Sequence, residues 1–316
     1  MVLIIAFVAA LIATPLAMAL ARRIGLLDHP GDLKIQVESI PYLGGLGVAA
    51  GLAVGAGVAH PALLLPLGIA LVLGTVDDAH DVRAATRLTA EVVVGLAAAA
   101  VLPVRLPGPV GLVAMALLVV VLVNGVNMVD GLDGLAAGVA LASAIGFAVV
   151  LDGEARTFAL ALAGALAGFL VFNRPPARVY LGDGGAYLVG AALAVLLALT
   201  WSDDLPLATS LGSLPLVAVP AAELGIAVLR RMRAGNRIFA GDRAHIYDQL
   251  VDRGRSRTGA AGMYIATQAG FTAIAIGAVH LPPVSAVMVA AASGLILLSA
   301  VAALGFLTPT YPETAA

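Results

Sequence analysis

Of the 316 residues of this chain, 61% are hydrophobic and only 11% are charged, so the chain is far more apolar than an average soluble domain. This composition excludes an ordinary soluble globular protein and indicates a polytopic membrane protein. The formal net charge is −2, and the zero count of cysteine excludes a disulfide framework, a thiolate metal site and a cysteine nucleophile.

Charge-free stretches of roughly 15 to 25 residues predict membrane-spanning helices. Eleven of them follow one another, near residues 1–21, 43–60, 62–76, 88–104, 109–126, 134–151, 157–172, 185–201, 207–229, 261–281 and 284–307. The first lacks a basic leader and is followed by further spans, so we expect a retained helix and not a cleaved signal. The predicted fold is an all-α integral membrane protein, a polytopic bundle of about 11 transmembrane helices in a single domain over residues 1–316.

The distribution of lysine and arginine predicts the orientation of this bundle. Alternating loops on one side hold fifteen of these residues, whereas the other side holds only Arg105 and Arg156. Because basic residues accumulate in cytoplasmic loops, we expect the N-terminus outside and the C-terminus in the cytoplasm. The active site is then predicted on the cytoplasmic face of the inner membrane, in loops near 22–42, 77–87, 124–134, 173–185 and 230–260.

Polar side chains stand where several of these apolar stretches begin or end. Four occur at steps of three around the end of the fifth stretch: Asn124, Asn127, Asp130 and Asp133. Further carboxylates flank the third and eighth stretches: Asp77, Asp78, Asp81 and Asp183. Such groups are costly at membrane depth and persist mostly where they meet a cation, a ligand or one another, so they predict a site.

Clustered carboxylates without histidine or cysteine partners suit a hard cation such as Mg²⁺, with Mn²⁺ as the alternative. Mg²⁺ commonly uses one or two carboxylates together with substrate phosphate oxygens, so we expect a phosphate or diphosphate substrate. Glycines flank the acids, and we interpret them as letting the backbone approach a phosphorylated ligand: Gly131, Gly134, Gly182, Gly184 and Gly185.

The longest polar segment, residues 230–260, predicts a short amphipathic piece on the membrane surface. Five of its arginines are interpreted as a positive-inside anchor: Arg230, Arg231, Arg253, Arg255 and Arg257. Two other residues of this segment, Arg243 and His245, are instead candidates to hold a sugar or a diphosphate.

Five short motifs occur in order along the chain. They are KIQVESIPYLGGLG at 34–47, DDAHD at 77–81, NGVNMVDGLDGLAAG at 124–138, Asn173 followed by VYLGDGG at 179–185, and GDRAHIYDQL at 241–250. At these residues the chain resembles the polyprenyl-phosphate N-acetylhexosamine-1-phosphate transferase family. The resemblance implies a helical bundle of ten or eleven spans with a cytoplasmic active site.

The resemblance also implies residue roles. The metal ligand would be Asp183, and the other catalytic residues would be Asp77 and Asp78, facing the lipid phosphate, with Asn127 and Asp130 in the diphosphate and metal region. The nucleotide would be recognised by Lys34, Asp133, Asn173 and Tyr180, whose ring would stack on the uracil. The diphosphate and sugar would be contacted by Arg243, His245 and Asn124.

Four departures from the family pattern bear on the sugar. They are Gln36 where histidine is usual, His245 to Asp248 in place of HIHH, glycines at 184 and 185 in place of small hydroxyl residues, and Glu223 in place of aspartate. The missing run of three histidines favours a UDP-GlcNAc-like donor over UDP-MurNAc-pentapeptide. Glu91 and Glu223 are left outside the core site, because each could simply pair with a nearby arginine, Arg87 or Arg230.

The expected reaction is Mg²⁺-dependent transfer of a sugar 1-phosphate from a UDP-sugar to a polyprenyl phosphate, with release of UMP. We expect direct attack by the lipid phosphate and not an aspartyl-phosphate intermediate. The expected partners are these two substrates and the bilayer, with no nucleic acid; a homodimer is left open. Three alternatives are an ion-coupled transporter, a CDP-alcohol phosphotransferase type of enzyme and a structural membrane protein.

Overall fold

The computed structural model describes residues 1–29, 38–56, 61–80, 82–102, 108–202, 204–236 and 244–308. The described chain is almost entirely helical. Its α-helices are α1 Val2–Ile24, α2 Gly44–Ala56, α3 Leu64–His80, α4 Ala84–Val101, α5 Gly108–Val129, α6 Leu135–Val150, α7 Gly153–Asn173, α8 Gly182–Leu199, α9 Leu207–Gly212, α10 Ala218–Ala234, α11 Ile246–Asp252, α12 Arg257–Ala278 and α13 Pro283–Ala303. Two short strands, β1 Leu27–Asp28 and β2 Ile40–Pro41, pair antiparallel, with Leu27 opposite Pro41.

Within these described ranges, nine helical segments are long and apolar enough to cross a membrane. Two shorter apolar helices, α2 and α6, complete the set, so that all eleven predicted apolar stretches coincide with helices. The chain is therefore an all-α polytopic membrane protein. The ninth stretch is broken into α9, a 3-10 turn at Leu214–Val217 and α10. Pro215 and Pro220 explain the break, since proline lacks the N–H that a continuous helix needs.

The structure moves the predicted site residues from loops onto helix ends. Asp77 and Asp78 lie in the last turn of α3, and Asn124 and Asn127 lie on α5. Asp183 lies in the first turn of α8. The helices extend beyond the apolar stretches because these polar side chains find partners at the helix ends, as described below. The loops of the predicted site are accordingly shorter than expected.

Helix α8 is the centre of the bundle, with 94% of its residues buried. It packs against α3 and α5 on two sides and against α2 on a third. The glycine-rich start of α8 allows these close crossings: a Cβ on Gly45 would collide with the backbone of Gly185, and a Cβ on Gly74 would collide with the backbone of Asp183. Small residues let helix backbones approach closely in membranes, where tight packing drives helix association.

The interpretation of the flanking glycines as a cradle for a ligand is wrong at three positions. A Cβ on Gly184 would meet the Thr75 side chain, and a Cβ on Gly131 would meet the Tyr247 ring. A Cβ on Gly185 would likewise meet the Leu181 side chain and the backbone of α2 at Gly45. These glycines make room for neighbouring protein segments, because helices cross at the same place where the acids lie.

The basic segment after α10 also differs from its prediction. Arg230 and Arg231 lie in the last turns of α10 and are buried, at 2% and 5% exposure, whereas an amphipathic surface piece would expose them. Arg253 joins α11 to the end of α13: its Nη1 donates to the Leu304 carbonyl at 2.6 Å and its Nη2 to the Gly305 carbonyl at 3.1 Å. Its guanidinium also lies 4.1 Å from the centroid of the Phe306 ring.

Candidate active site

The Asp78 carboxylate lies at the N-terminus of α8 and accepts hydrogen bonds from two of its first backbone amides. Oδ1 accepts from the Asp183 N–H at 2.9 Å, and Oδ2 accepts from the Gly184 N–H at 3.1 Å. Gly182 before them has φ of +72°, and a Cβ there would lie 2.7 Å from Asp78 Oδ2. Only glycine fits this position without strain. A carboxylate that satisfies the free amides at a helix N-terminus stabilises that end, so Asp78 fixes the turn that carries Asp183.

Asp77, the neighbouring acid, joins three helices. Its Oδ2 accepts from Arg87 Nη1 on α4 at 2.9 Å and from the Tyr187 hydroxyl on α8 at 2.8 Å. Its Oδ1 accepts from the Val82 N–H at 2.8 Å. Three donors, one of them cationic, therefore hold a nearly buried carboxylate in a single orientation. The contact of Asp77 with a lipid phosphate stays a prediction.

Asp183 and Asp130 both lie near the C-terminal end of α5. Asn127 Nδ2 donates to Asp183 Oδ1 at 2.6 Å, which ties α5 to α8. Asp130 follows in the turn after α5 and is partly buried. Burial, reinforced by the negative charges of Asp183, Asp78 and Asp133, raises the pKa of Asp130 well above its ordinary value of 3.8. The site therefore concentrates carboxylates in a region where negative charge is disfavoured.

This concentration fits a divalent cation. Among the residues that the structure describes, no group of three His, Cys, Asp or Glu side chains is arranged to hold a metal ion by itself. Mg²⁺ does not require such a cage, because it commonly takes one or two carboxylates and completes its shell with substrate phosphate oxygens and water. A cation beside Asp183 would offset the repulsion that these acids impose on Asp130.

Asn124 lies one helical turn before Asn127 on α5 and contacts Glu91. Its Nδ2 donates to Glu91 Oε2 at 2.6 Å and to the Val120 carbonyl at 2.9 Å. Glu91 was left outside the core site as a partner for Arg87, but the structure brings its buried carboxylate against a predicted site residue. The role of Asn124 toward the diphosphate stays a prediction.

Two predicted nucleotide residues brace the segment between α7 and α8. Asn173 accepts from the Gly134 N–H at 3.1 Å through Oδ1 and donates to the Val179 carbonyl at 2.9 Å through Nδ2. Asp133 Oδ2 accepts from the Ala177 N–H at 3.0 Å. These bonds hold the start of α6 against residues 174–181, which carry Tyr180.

Tyr180 is positioned from both sides through its backbone. Its N–H donates to the Pro41 carbonyl at 2.9 Å, and its carbonyl accepts from the Gly44 N–H at 3.1 Å. Burial and the charge of Asp133 raise the pKa of Tyr180 to about 12, so the phenol stays neutral. A second aromatic ring, Tyr42, has its centroid 6.0 Å from that of Tyr180. Lys34, the fourth predicted nucleotide residue, lies outside the described residues.

His245 belongs to a second polar cluster, formed by α10, α11 and α12. Its Nδ1 lies 3.0 Å from Glu223 Oε1, and the Tyr264 hydroxyl donates to Glu223 Oε2 at 2.7 Å. Tyr247 connects this cluster to the acids, because its ring covers Gly131, the residue after Asp130. Arg243, predicted beside His245, lies outside the described residues.

Several contact residues were missed or set aside by sequence reasoning. Arg87 was considered only as a positive charge in a loop and as a possible partner of Glu91, and Tyr187 and Tyr264 stand within apolar stretches where they resemble ordinary core residues. A signal was available for Tyr187, since it follows Asp183 by four residues and so lies on the same helix face. Tyr264 offered no such signal, because its partner is 41 residues away.

The helical membrane bundle carries a cluster of acids and amides where α3, α5 and α8 meet, and comparisons with known proteins show what the chain is similar to. Residues 60–201 match the model described as glycosyl transferase family 4. Over this part of its length, which is less than half of the chain, the chain is similar to that family, and the relatives below are named as transferases.

The curated relatives of the chain carry related names. "Probable undecaprenyl-phosphate N-acetylglucosaminyl 1-phosphate transferase" from Bacillus subtilis (strain 168) is 26% identical over 80% of this chain and 77% of that protein. "Undecaprenyl-phosphate alpha-N-acetylglucosaminyl 1-phosphate transferase" from Escherichia coli (strain K12) is 28% identical over 75% of this chain and 72% of its own length. "Decaprenyl-phosphate N-acetylglucosaminephosphotransferase" from Mycobacterium leprae (strain TN) is 28% identical, with coverages of 77% and 74%.

Proposed function

We propose that the chain transfers a sugar 1-phosphate, preferentially GlcNAc 1-phosphate, from a UDP-sugar to a polyprenyl phosphate in a Mg²⁺-dependent reaction that releases UMP. The products would be a polyprenyl-diphosphate-sugar and UMP, as in the first membrane step of the synthesis of a cell-wall or surface glycan. The observation that carries the proposal is the junction of α3, α5 and α8, where Asp78, Asn127 and Asp183 are joined by hydrogen bonds near Asp130. The names of the relatives support the choice of substrates.

We further propose that all eleven apolar helices cross the bilayer, with the N-terminus outside and the C-terminus in the cytoplasm. The support is the bias of fifteen basic residues against two between alternate loops. The acid cluster then faces the cytoplasm at the inner membrane, where a soluble nucleotide sugar is available. A lipid acceptor reaches the same place from within the membrane.

The residues that would hold Mg²⁺ are Asp183, with Asp130 and Asn127 beside it. Mg²⁺ bound there supplies charge neutralisation for the two phosphorylated substrates. The protein itself contributes a fixed position for the Asp183 carboxylate, through Asn127 on one side and the turn capped by Asp78 on the other. Preorganised charges of this kind are effective because they need no rearrangement during the reaction.

Direct attack by the lipid phosphate needs no strong base. A phosphate monoester has a second pKa of about 6, so it is largely dianionic at neutral pH. The engagement of both Asp78 oxygens with α8 amides supports this one-step route, since a nucleophilic Asp78 would have to abandon these bonds. Asp77 is engaged as well, by Arg87, Tyr187 and the Val82 N–H.

The donor nucleotide would bind at the segment between α7 and α8. Tyr180 offers a neutral ring for stacking on uracil, and Lys34 and Asp133 would meet the polar edge of the base. Asn173 would act indirectly, by holding the backbone of this segment in place through its hydrogen bond to the Val179 carbonyl. His245 and Arg243 would contact the diphosphate and sugar. A different UDP-amino sugar, or UDP-MurNAc-pentapeptide, is the alternative donor.

The alternatives from other classes have less support. An ion-coupled transporter is expected to place its acids near mid-membrane on broken helices, whereas Asp78 and Asp183 lie at helix ends. A CDP-alcohol phosphotransferase type of enzyme would carry its acids in one short motif. Here the acids come from α3, α8 and the turn after α5.

The proposal is tested with purified protein in lipid, by measuring UMP release from a panel of UDP-sugars. We expect release from UDP-GlcNAc only when polyprenyl phosphate and Mg²⁺ are both present. Correctly inserted Asp183→Asn protein serves as the control for a contaminating activity. UMP release without the lipid, or none with any UDP-sugar, would overturn the proposed function.

A further inference from the structure

Glu223 is a buried carboxylate on α10 that the expected mechanism does not use. Only 2% of the residue is exposed. Its two oxygens serve different helices: Oε1 contacts His245 Nδ1 at 3.0 Å, and Oε2 accepts from the Tyr264 hydroxyl at 2.7 Å. The Ile246 N–H also approaches Oε1, at 3.4 Å. A buried charge is costly unless its lone pairs are satisfied, so this carboxylate has a defined set of donors.

The His245 ring is fixed on its face as well as at its edge. It stacks on the Tyr247 ring with 5.3 Å between centroids and 5° between planes. The Tyr247 ring in turn meets Tyr264 edge-on, at 6.1 Å and 67°. Tyr247 also packs over Gly131, so the His245 ring has a fixed position relative to the turn that carries Asp130.

A carboxylate at Nδ1 has a specific chemical consequence for a histidine. It makes Nδ1 the protonated nitrogen and fixes the ring orientation. The ring can then meet a substrate oxygen only through Nε2. With Nδ1–H donating to Glu223, Nε2 can donate to a phosphate oxygen only when the ring carries both protons, so His245 would contact the diphosphate as an imidazolium.

We propose that Glu223 is a positioning residue that acts through His245, by holding Nδ1–H so that Nε2 is presented to the diphosphate of the donor. The inference rests on the proposed function for its substrate. It gives a role to Glu223, which from the sequence could simply pair with Arg230. The competing explanation is purely structural, in which Glu223 only joins α10 to α12 through Tyr264.

The test is a double-mutant cycle with Glu223→Gln, which keeps the shape of the side chain and removes its charge, and His245→Ala. In the wild-type background we expect Glu223→Gln to lower kcat/KM for the UDP-sugar by about 10-fold, the scale for losing the partner of a functional histidine. In the His245→Ala background the same change should cost less than about 2-fold, because residues that act as a unit are not additive. Glu223→Asp, which keeps the carboxylate, should recover part of the activity.

Gln268 provides the matched structural control. It lies one turn after Tyr264 on α12 and joins α12 to the start of α10, by accepting from the Val219 N–H at 3.1 Å and donating to the Leu216 carbonyl at 3.0 Å. Gln268→Ala loosens the same helix pair without touching His245. Any loss of activity it causes should therefore be equal in both backgrounds.

Two results would overturn the inference. One is an equal loss from Glu223→Gln with and without His245, and the other is full activity of Glu223→Gln or of His245→Ala. Failure of the proposed function is distinct, since wild-type protein would then release no UMP. A readout without substrate is the ¹⁵N spectrum of the imidazoles, which are five in number: His245 should be protonated at Nδ1 in wild type and lose this preference in Glu223→Gln.

Discussion

Replacing Asp78 by asparagine should destabilise the protein by an amount that the structure allows us to estimate. The two carboxylate oxygens accept from the N–H groups of Asp183 and Gly184. Asparagine retains one acceptor oxygen, and its NH₂ group would face the other N–H. Leaving a buried donor unsatisfied costs about 1–3 kcal/mol. This range overlaps the loss of about 0.5–2 kcal/mol that follows removal of a helix N-cap, so we expect a loss of roughly 1–3 kcal/mol in the free energy of unfolding.

The assay is thermal unfolding of the detergent-solubilised protein, followed beside UMP release. With an unfolding entropy of about 2.1 cal/mol/K per residue, 316 residues give a shift of about 1.5 °C for 1 kcal/mol, so the midpoint of Asp78→Asn should fall by about 1.5–4.5 °C. Asp152 is a matched control, because it occupies the N-cap of α7 without a side-chain capping hydrogen bond. Asp152→Asn should change the free energy of unfolding by less than about 0.5 kcal/mol.

The same substitution also tests the chemistry. Because Asp78 fixes the turn that carries Asp183, Asp78→Asn should lower kcat together with stability. An unchanged unfolding midpoint in Asp78→Asn, equal to that of Asp152→Asn, would refute the capping role. A phosphosugar covalently trapped on Asp78 would refute the one-step reaction.

Four further predictions follow from individual contacts. Asp183→Asn keeps an acceptor for Asn127 but loses a charge, so turnover should fall by roughly 10² or more while the unfolding midpoint stays the same or rises; near-normal turnover would contradict the metal assignment. Tyr180→Ala should raise KM for the donor and weaken UMP inhibition by about 10-fold each, whereas Tyr180→Phe should not; equal inhibition of wild type by CMP would refute the uracil pocket. Arg253→Ala should lower the unfolding midpoint and Arg253→Lys should not restore it, since lysine lacks the planar fork that binds two carbonyls; full rescue by lysine would show that charge alone suffices. Because the pKa of Asp130 is raised in the folded state, the folded protein keeps a proton at pH values where the unfolded chain has lost it, so this residue destabilises the fold increasingly as pH rises. Asp130→Asn should therefore raise the unfolding midpoint more at pH 8 than at pH 5. A rise that is the same at both pH values would contradict this direction.

The sequence alone determined the class of fold. Each apolar stretch had to form a helix, because backbone polar groups in a bilayer must be satisfied within the segment itself. The positions of the acids were also readable, since a carboxylate such as Asp183 next to an apolar stretch has few reasons to be there other than a site. These inferences use only local composition and spacing, which is why they survive without knowledge of the packing.

The tertiary structure alone decided which polar groups meet. Asp78 caps α8 through Asp183, which is 105 residues later in the chain, and no local pattern contains this pairing. Glycines gave the clearest error: Gly131 resembles a ligand cradle in sequence, but the Tyr247 ring fills its space. Glu223 was left outside the site because its contact with His245 depends on the packing of α10 against α11, which the sequence does not show. Hydrogen bonds between distant segments depend on how helices cross, and that arrangement is a property of the whole bundle.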